Sequence, residues 1–172
     1  MVRRVLNYTS TLVAWVSGAA LLLMMLHIAA DVTLRYLFSA PLHGTVEIVS
    51  PYYMVAVVFL PLALIELRNG HIVVELVSQH FPARVQEWQI GLVALVSAAY
   101  FGAFAWRTWN DALQKMAVGE VSLGNVPVTV WPTRFYLPIG CALITLVLIH
   151  KAIRLFIGDN SVIARESIDL HE

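Results

Sequence analysis

Apolar residues fill four long stretches of this chain, and the charged residues are concentrated between them. The stretches run Thr11–Ala30, Val46–Ile65, Trp88–Trp106 and Phe135–Ile157. Each is close to the ~20 residues that an α-helix needs to cross a ~30 Å hydrocarbon layer. A helix satisfies its own backbone N–H and C=O groups, so it is the form such a stretch takes in lipid. The pattern predicts an all-α integral membrane protein with four transmembrane helices. Residues 1–158 are read as a single membrane domain and 159–172 as a polar cytoplasmic tail.

The joints carry patterns of their own. Asp31-Val-Thr-Leu-Arg35-Tyr-Leu-Phe keeps helical spacing, so the first helix is expected to continue past Ala30. Asp31 and Arg35 stand four apart with the acid first, the favourable order for a helical ion pair. Pro41 and Gly44 then turn the chain, and Thr45 is placed to cap the second helix. The second joint, Leu67–Glu87, contains Asn69-Gly70, a helix stop. Within residues 72–81, Val73, Leu76, Val77 and Phe81 share one helical face, and Glu75, Ser78 and Gln79 share another. This segment is too short to span and predicts an amphipathic interfacial arm helix between helices 2 and 3. Pro82 is suited to open helix 3. The third joint begins as a helical extension from Arg107 to Met116. Gly119, Gly124 and Pro127 break it into a loop, and Trp131-Pro132-Thr-Arg134 leads into helix 4.

Four spans put both termini on one side. With the N-terminus inside, the inner basic residues are Arg3, Arg4, Arg68, Arg84, Lys151, Arg154 and Arg165. The outer ones are Arg35, Arg107, Lys115 and Arg134, so the count is seven against four. The excess predicts an N-in/C-in topology. Tyr36, Tyr52, Tyr53, Trp88, Trp106, Trp109, Trp131 and Tyr136 fall near the expected interfaces, where aromatic residues anchor spans. Arg3 and Arg4 precede an apolar run as in a signal peptide. The run exceeds the ~7–15 residues of a signal core, and Ala29-Ala30-Asp31 is a poor cleavage site. The first span is read as retained.

Composition narrows the function classes. The chain has 172 residues, 59% hydrophobic and 13% charged, with zero formal net charge. Such a chain offers no basic field for nucleic acid. Its one cysteine, Cys141, lies within a span and reads as a small buried residue. No metalloprotease, hydrolase, phosphate-binding or paired-cysteine motif is present, so no catalytic, metal or cofactor residue is expected.

Ionisable residues in or near spans remain candidates. Glu47 and Glu66 flank the second span, about 28 Å apart at 1.5 Å per residue, and cannot share one ion. Helix-end pairing is expected, Glu66 with Arg68 or His71. His27 and His150 are the histidines inside spans. Their depths differ by roughly 15 Å, too far for one haem iron. Pro51 and Pro61 free backbone carbonyls in the second span and can kink it. Small residues on helices 1 and 3 (Gly18, Ala19, Ala20; Ser97, Ala98, Ala99, Gly102, Ala103) allow close helix contact. A haem- or quinone-associated membrane anchor of a redox enzyme, and a self-assembling channel, are the alternatives these features leave open.

Asp31-Val-Thr-Leu-Arg-Tyr-Leu-Phe followed by Pro41-Leu-His-Gly-Thr-Val-Glu47-Ile resembles the first joint of the small (Q, DctQ-like) permease subunit of TRAP transporters, the tripartite ATP-independent periplasmic systems. Val58-Phe-Leu-Pro-Leu-Ala-Leu-Ile-Glu66 with Gly70-His-Ile-Val-Val-Glu75-Leu is similar to that family's helix 2 and following arm. Trp131-Pro132 with Leu137-Pro-Ile-Gly140 is similar to its entry into helix 4. The resemblance covers roughly residues 5–157. It implies a bacterial inner-membrane subunit that braces the scaffold of a large multi-span (M) permease. A periplasmic binding (P) protein would deliver an organic acid, and sodium coupling would lie in the large subunit. Membrane phospholipids are the remaining expected partner. It implies no catalytic residue. Asp31, Arg35, Glu47, Glu66, His71, Glu75 and Arg134 are the expected structural or subunit-interface residues.

Overall fold

The computed structural model describes residues 2–68, 82–124 and 126–157. The first span is one continuous helix, α1 (Val2–Phe38). The second span is segmented into α2 (Thr45–Ile48), a π-helical stretch (Val49–Met54), α3 (Val55–Phe59) and α4 (Leu62–Leu67). The third is α5 (Ala83–Val118), and the fourth is α6 (Tyr136–Phe156), entered through a 3-10 turn at Trp131–Phe135. Four helices are long and apolar enough to cross a membrane, and no strand occurs among the described residues. The interfacial arm expected at 72–81 and the polar tail at 159–172 lie outside the described residues.

Proline chemistry explains the segmentation. Pro51 has no N–H, so one rung of the helical ladder is missing where the chain widens into the π stretch. Pro61 does the same four residues past Val57, and the helix breaks at Leu60-Pro61 before restarting as α4. Gly44, at φ +85°, precedes α2 in the left-handed region, and the Thr45 hydroxyl donates to the Leu42 carbonyl at 3.2 Å. Thr45 is therefore the first helical residue, where the sequence had placed a cap. Gly44 takes the cap position because only a residue without Cβ enters this turn without strain.

The spans pack in the order first, second, fourth, third. α1 lies on the second span, α6 lies between the second span and α5, and α1 has no substantial contact with α5 or α6. The core runs through Leu6, Ala63, Ala94, Ala98, Ile144, Val147, Leu148 and Ala152. It sits toward the end of the bundle where α1 begins and α6 ends, here called the basal end. The other end is the cap end.

α1 and α5 bury mostly small or polar residues and turn many of their large apolar ones outward, whereas α6 buries Ile144, Val147, Leu148 and Leu155. On α1 the buried and half-buried positions include Leu6, Ser10, Val13, Ser17, Ala20, Met24, His27, Asp31 and Leu34, which form an alternating three-four seam. Leu12, Trp15, Leu22 and Leu26 face out. On α5 the seam is Gly91, Ala94, Ala98, Phe101, Ala105, Thr108 and Ala112. Among the small residues singled out in the sequence, Ala98 is buried and Gly102 approaches Thr145 of α6. Gly18, Ala19, Ala99 and Ala103 face outward. This inversion suits lipid, where close backbone approach holds helices together and apolar side chains lose nothing by facing acyl chains.

Candidate functional site

The predicted residues become fasteners between elements, in three groups. The first closes the joint between α1 and the second span. Asp31 is 6% exposed. Its carboxylate accepts the Leu42 backbone N–H at 2.8 Å and the Arg35 guanidinium at 3.1 Å. α1 reaches Phe38 because helical spacing persists, and Asp31 then satisfies a backbone donor eleven residues on. Hydrogen bonds to a charged group contribute about 1.5–3 kcal/mol each, which offsets the cost of burying the carboxylate.

The second group organises the cap end. α5 stops at Gly119, φ +66°, with Gly119 N–H bonded to the Met116 carbonyl and Glu120 N–H to that of Lys115, both at 3.1 Å. This is a Schellman stop. The chain then forms a short hairpin: Ser122 N–H bonds to the Val128 carbonyl at 2.7 Å and Val130 N–H to that of Glu120 at 2.9 Å. The Arg134 guanidinium grips Glu120 with two bonds, 3.0 and 2.9 Å, and the Lys115 ammonium lies 3.5 Å from the same carboxylate. The guanidinium hydrogen bonds hold the Glu120 carboxyl below the usual glutamate range. The hairpin folds onto the second span. Gly124 lies against the Glu47 carboxylate, Val126 against Gly44, and the Tyr52 hydroxyl donates to the Thr129 carbonyl. Trp109 and Trp131 pack edge-on to Phe135, 5.4 and 6.5 Å between centroids.

The third group lies at the basal end and in the membrane interior. The Lys151 ammonium of α6 donates to Glu66 of α4 at 3.1 Å, with side chains 17% and 11% exposed. Glu66 thus pairs across helices with Lys151 rather than with Arg68, while His71, the other partner the sequence offered, lies outside the described residues. The reason is depth: antiparallel packing brings the last turn of the second span level with the end of α6, whereas Arg68 turns outward. Deeper in, the Ser17 hydroxyl of α1 donates to the Val57 carbonyl at 3.3 Å. That carbonyl is the one left without a ladder partner by Pro61. Gly140 of α6 lies directly on the Phe59 carbonyl, where any Cβ would overlap it.

Asp31, Glu47, Glu66 and Arg134 are therefore placed in inter-element contacts, Arg35 pairs with Asp31 within α1, and His71 and Glu75 lie outside the described residues. The structure separates them into two ends, so they form no common site. Glu120, Lys151, Tyr52 and Ser17 were missed by sequence reasoning. For Lys151 a signal existed, an opposite charge at matching depth on an antiparallel span. For Glu120 there was none, because its partner is chosen by the hairpin. His27 meets Tyr53 edge-on at 6.0 Å near the cap end, while His150 neighbours Lys151 at the basal end. The two histidines do not converge. No group of three metal-capable side chains occurs among the described residues.

The chain is thus a multi-pass membrane protein whose polar residues serve as joints between apolar helices. Its sequence matches the family model for the DctQ component of tripartite ATP-independent periplasmic transporters over residues 24–158. The chain belongs to this family and is a small membrane subunit of a TRAP transporter. No curated protein and no solved structure matches it.

Proposed function

We propose that this subunit is a rigid brace for the large permease subunit, with the transport path lying in the partner. The observation that carries the reading is the use of the polar side chains. Asp31, Glu66, Ser17, Glu120 and Arg134 each bond to another element of the same chain. Residues lining an ion or substrate path would instead face a polar cavity. Four spans in an open row offer a broad apolar face to a neighbouring membrane protein. The neighbour is the large multi-span permease, and the cap-end hairpin faces the periplasmic binding protein. On this reading the transporter takes up an organic acid, is coupled to sodium in the large subunit, and resides in the inner membrane. The basal end, richer in basic residues, faces the cytoplasm. The chain itself performs no chemistry.

Co-expression with the large permease tests the assignment. The two chains are expected to purify together from detergent-solubilised membranes in a stable ratio. Isolation of this chain alone, with the large subunit present in the same membranes, would overturn it.

A further inference from the structure

An open groove of about 360 Å³ runs between α5 and α6. Gly102, Ala105, Trp106 and Trp109 line it from α5, and Ala142 and Thr145 from α6. Gly102, Ala105 and Ala142 leave room where larger side chains would close the gap. Both helices are membrane spans, so the groove opens sideways into hydrocarbon. Trp106, 75% exposed, forms an outer wall. Trp109 stands toward the cap end, edge-on to Phe135, in the belt where tryptophan marks the membrane interface.

The groove presents almost no polar surface. Its one hydroxyl, on Thr145, donates to the Cys141 carbonyl at 2.7 Å within α6, and no charged side chain lines it. A headgroup, a free anion or a quinone carbonyl finds no free donor on this floor. From Gly102 to Trp109 the groove follows α5 for about 10 Å at ~1.5 Å per residue, so its mean cross-section is about 35 Å², roughly 6–7 Å across. An α-helix with its side chains is ~10–12 Å wide and does not fit. A second copy, or any neighbouring span, would reach in with a single side chain and leave most of the length empty. A hydrocarbon chain lying parallel to the helix axis fills it. Lipid and groove are equally apolar, so the gain is packing: a chain in the groove meets protein on several sides, where one on a flat helix face meets it on one.

We propose that the groove between α5 and α6 holds one acyl chain of a membrane phospholipid as a resident lipid, with its headgroup toward the cap end beyond Trp109. The inference goes beyond the brace reading and needs only that the chain is membrane-embedded.

The test purifies the full chain from membranes in mild detergent and reads bound lipid by native mass spectrometry. The wild-type chain is expected to retain one phospholipid, phosphatidylethanolamine and phosphatidylglycerol alike, because the grip is on the chain and not on the headgroup. Ala142 is exposed, so a larger side chain there enters the groove without entering the core. A142F is expected to lower the bound fraction about fivefold or more, the effect of losing on the order of ten close carbon contacts, and A142L to lower it less. A19F, on the outward face of α1, is expected to leave it unchanged. All variants are compared at wild-type helix content by circular dichroism. A wild-type chain free of phospholipid overturns the proposal, as does unchanged occupancy in helical A142F and A142L. So does an isoprenoid quinone retained in place of the phospholipid, or a lipid-free dimer that A142F separates, which would make the occupant a second copy.

Discussion

The hydroxyl of Ser17 on α1 occupies the place of a missing backbone N–H, donating at 3.3 Å to the Val57 carbonyl that Pro61 leaves without a partner. A kink in one span is thereby satisfied by the neighbouring span, and the pairing ties α1 to the second span in mid-membrane. Water is absent at that depth, so the carbonyl has no other ready donor.

This relation predicts a conditional effect. S17A should destabilise the protein by about 0.6 kcal/mol, up to ~1.7, the range for interhelical hydrogen bonds in membranes. In a P61A background the restored N–H supplies Val57 and S17A should be close to neutral. Thermal unfolding in detergent micelles, run as a double-mutant cycle, reads the coupling. Equal effects of S17A in both backgrounds would show that Ser17 does not serve the kink.

At the basal end, E66Q should lower stability by roughly 3 kcal/mol, because it removes the carboxylate charge that the shielded Lys151 ammonium engages at 3.1 Å. E66Q/K151M should recover much of that loss, and the exchange E66K/K151E should recover part. The same unfolding assay separates these outcomes. A double variant as weak as E66Q alone would show that the carboxylate acts through some other group.

Glycine spacing gives a graded prediction. A methyl group at Gly102 would meet the Thr145 methyl at 3.4 Å, a contact that small shifts absorb. One at Gly140 would overlap the Phe59 carbonyl, which is backbone and cannot step aside. G140A should therefore separate α3 from α6 and cost about 1–3 kcal/mol as an overpacked site, while G102A should cost well under that. Proteolysis of the detergent-solubilised chain would rank the two variants, and equal resistance would refute the close contact.

The cap hairpin should be acid-resistant. The folded Glu120 carboxyl titrates below its ordinary range because Arg134 hydrogen-bonds the ionised form. A depressed carboxylate stabilises the fold above the unfolded value, and the contribution is lost as pH falls through the folded value. Amide exchange at Ser122 and Val130, with rates corrected for intrinsic pH dependence, should stay protected from neutral pH down through the usual glutamate range. In R134Q, protection should be weaker throughout and fail at higher pH. A wild-type loss of protection near pH 6 would contradict this.

Much of the fold was legible because hydrophobic run length reports directly on membrane crossing. Asp31 and Arg35 were legible too, since an i,i+4 pair needs only local helical geometry. Glu66 showed where such reasoning stops. It was visible as a charge at a span end, but its partner Lys151 lies 85 residues away and is selected by which spans become neighbours. The row order of the spans is not encoded in periodicity, because α1 exposes its largest apolar residues and buries Ser10, Ser17 and Asp31. The cap hairpin was hidden for a related reason: its Gly and Pro residues read as a loop, and the contacts with Gly44, Glu47 and Tyr52 that order it come from another joint.

The rigidity of the brace is tested most directly between the two outer helices of the row. Tyr36 on α1 and Val118 on α5 are 86% and 82% exposed, and Cys141 is buried. Spin labels at Y36C and V118C, read by double electron–electron resonance in the assembled transporter, report the distance across all four spans. The distribution should be the same with and without a sodium gradient and substrate-loaded binding protein. A shift on the scale of a helical turn, about 5 Å, would contradict the brace and place this subunit among the moving parts.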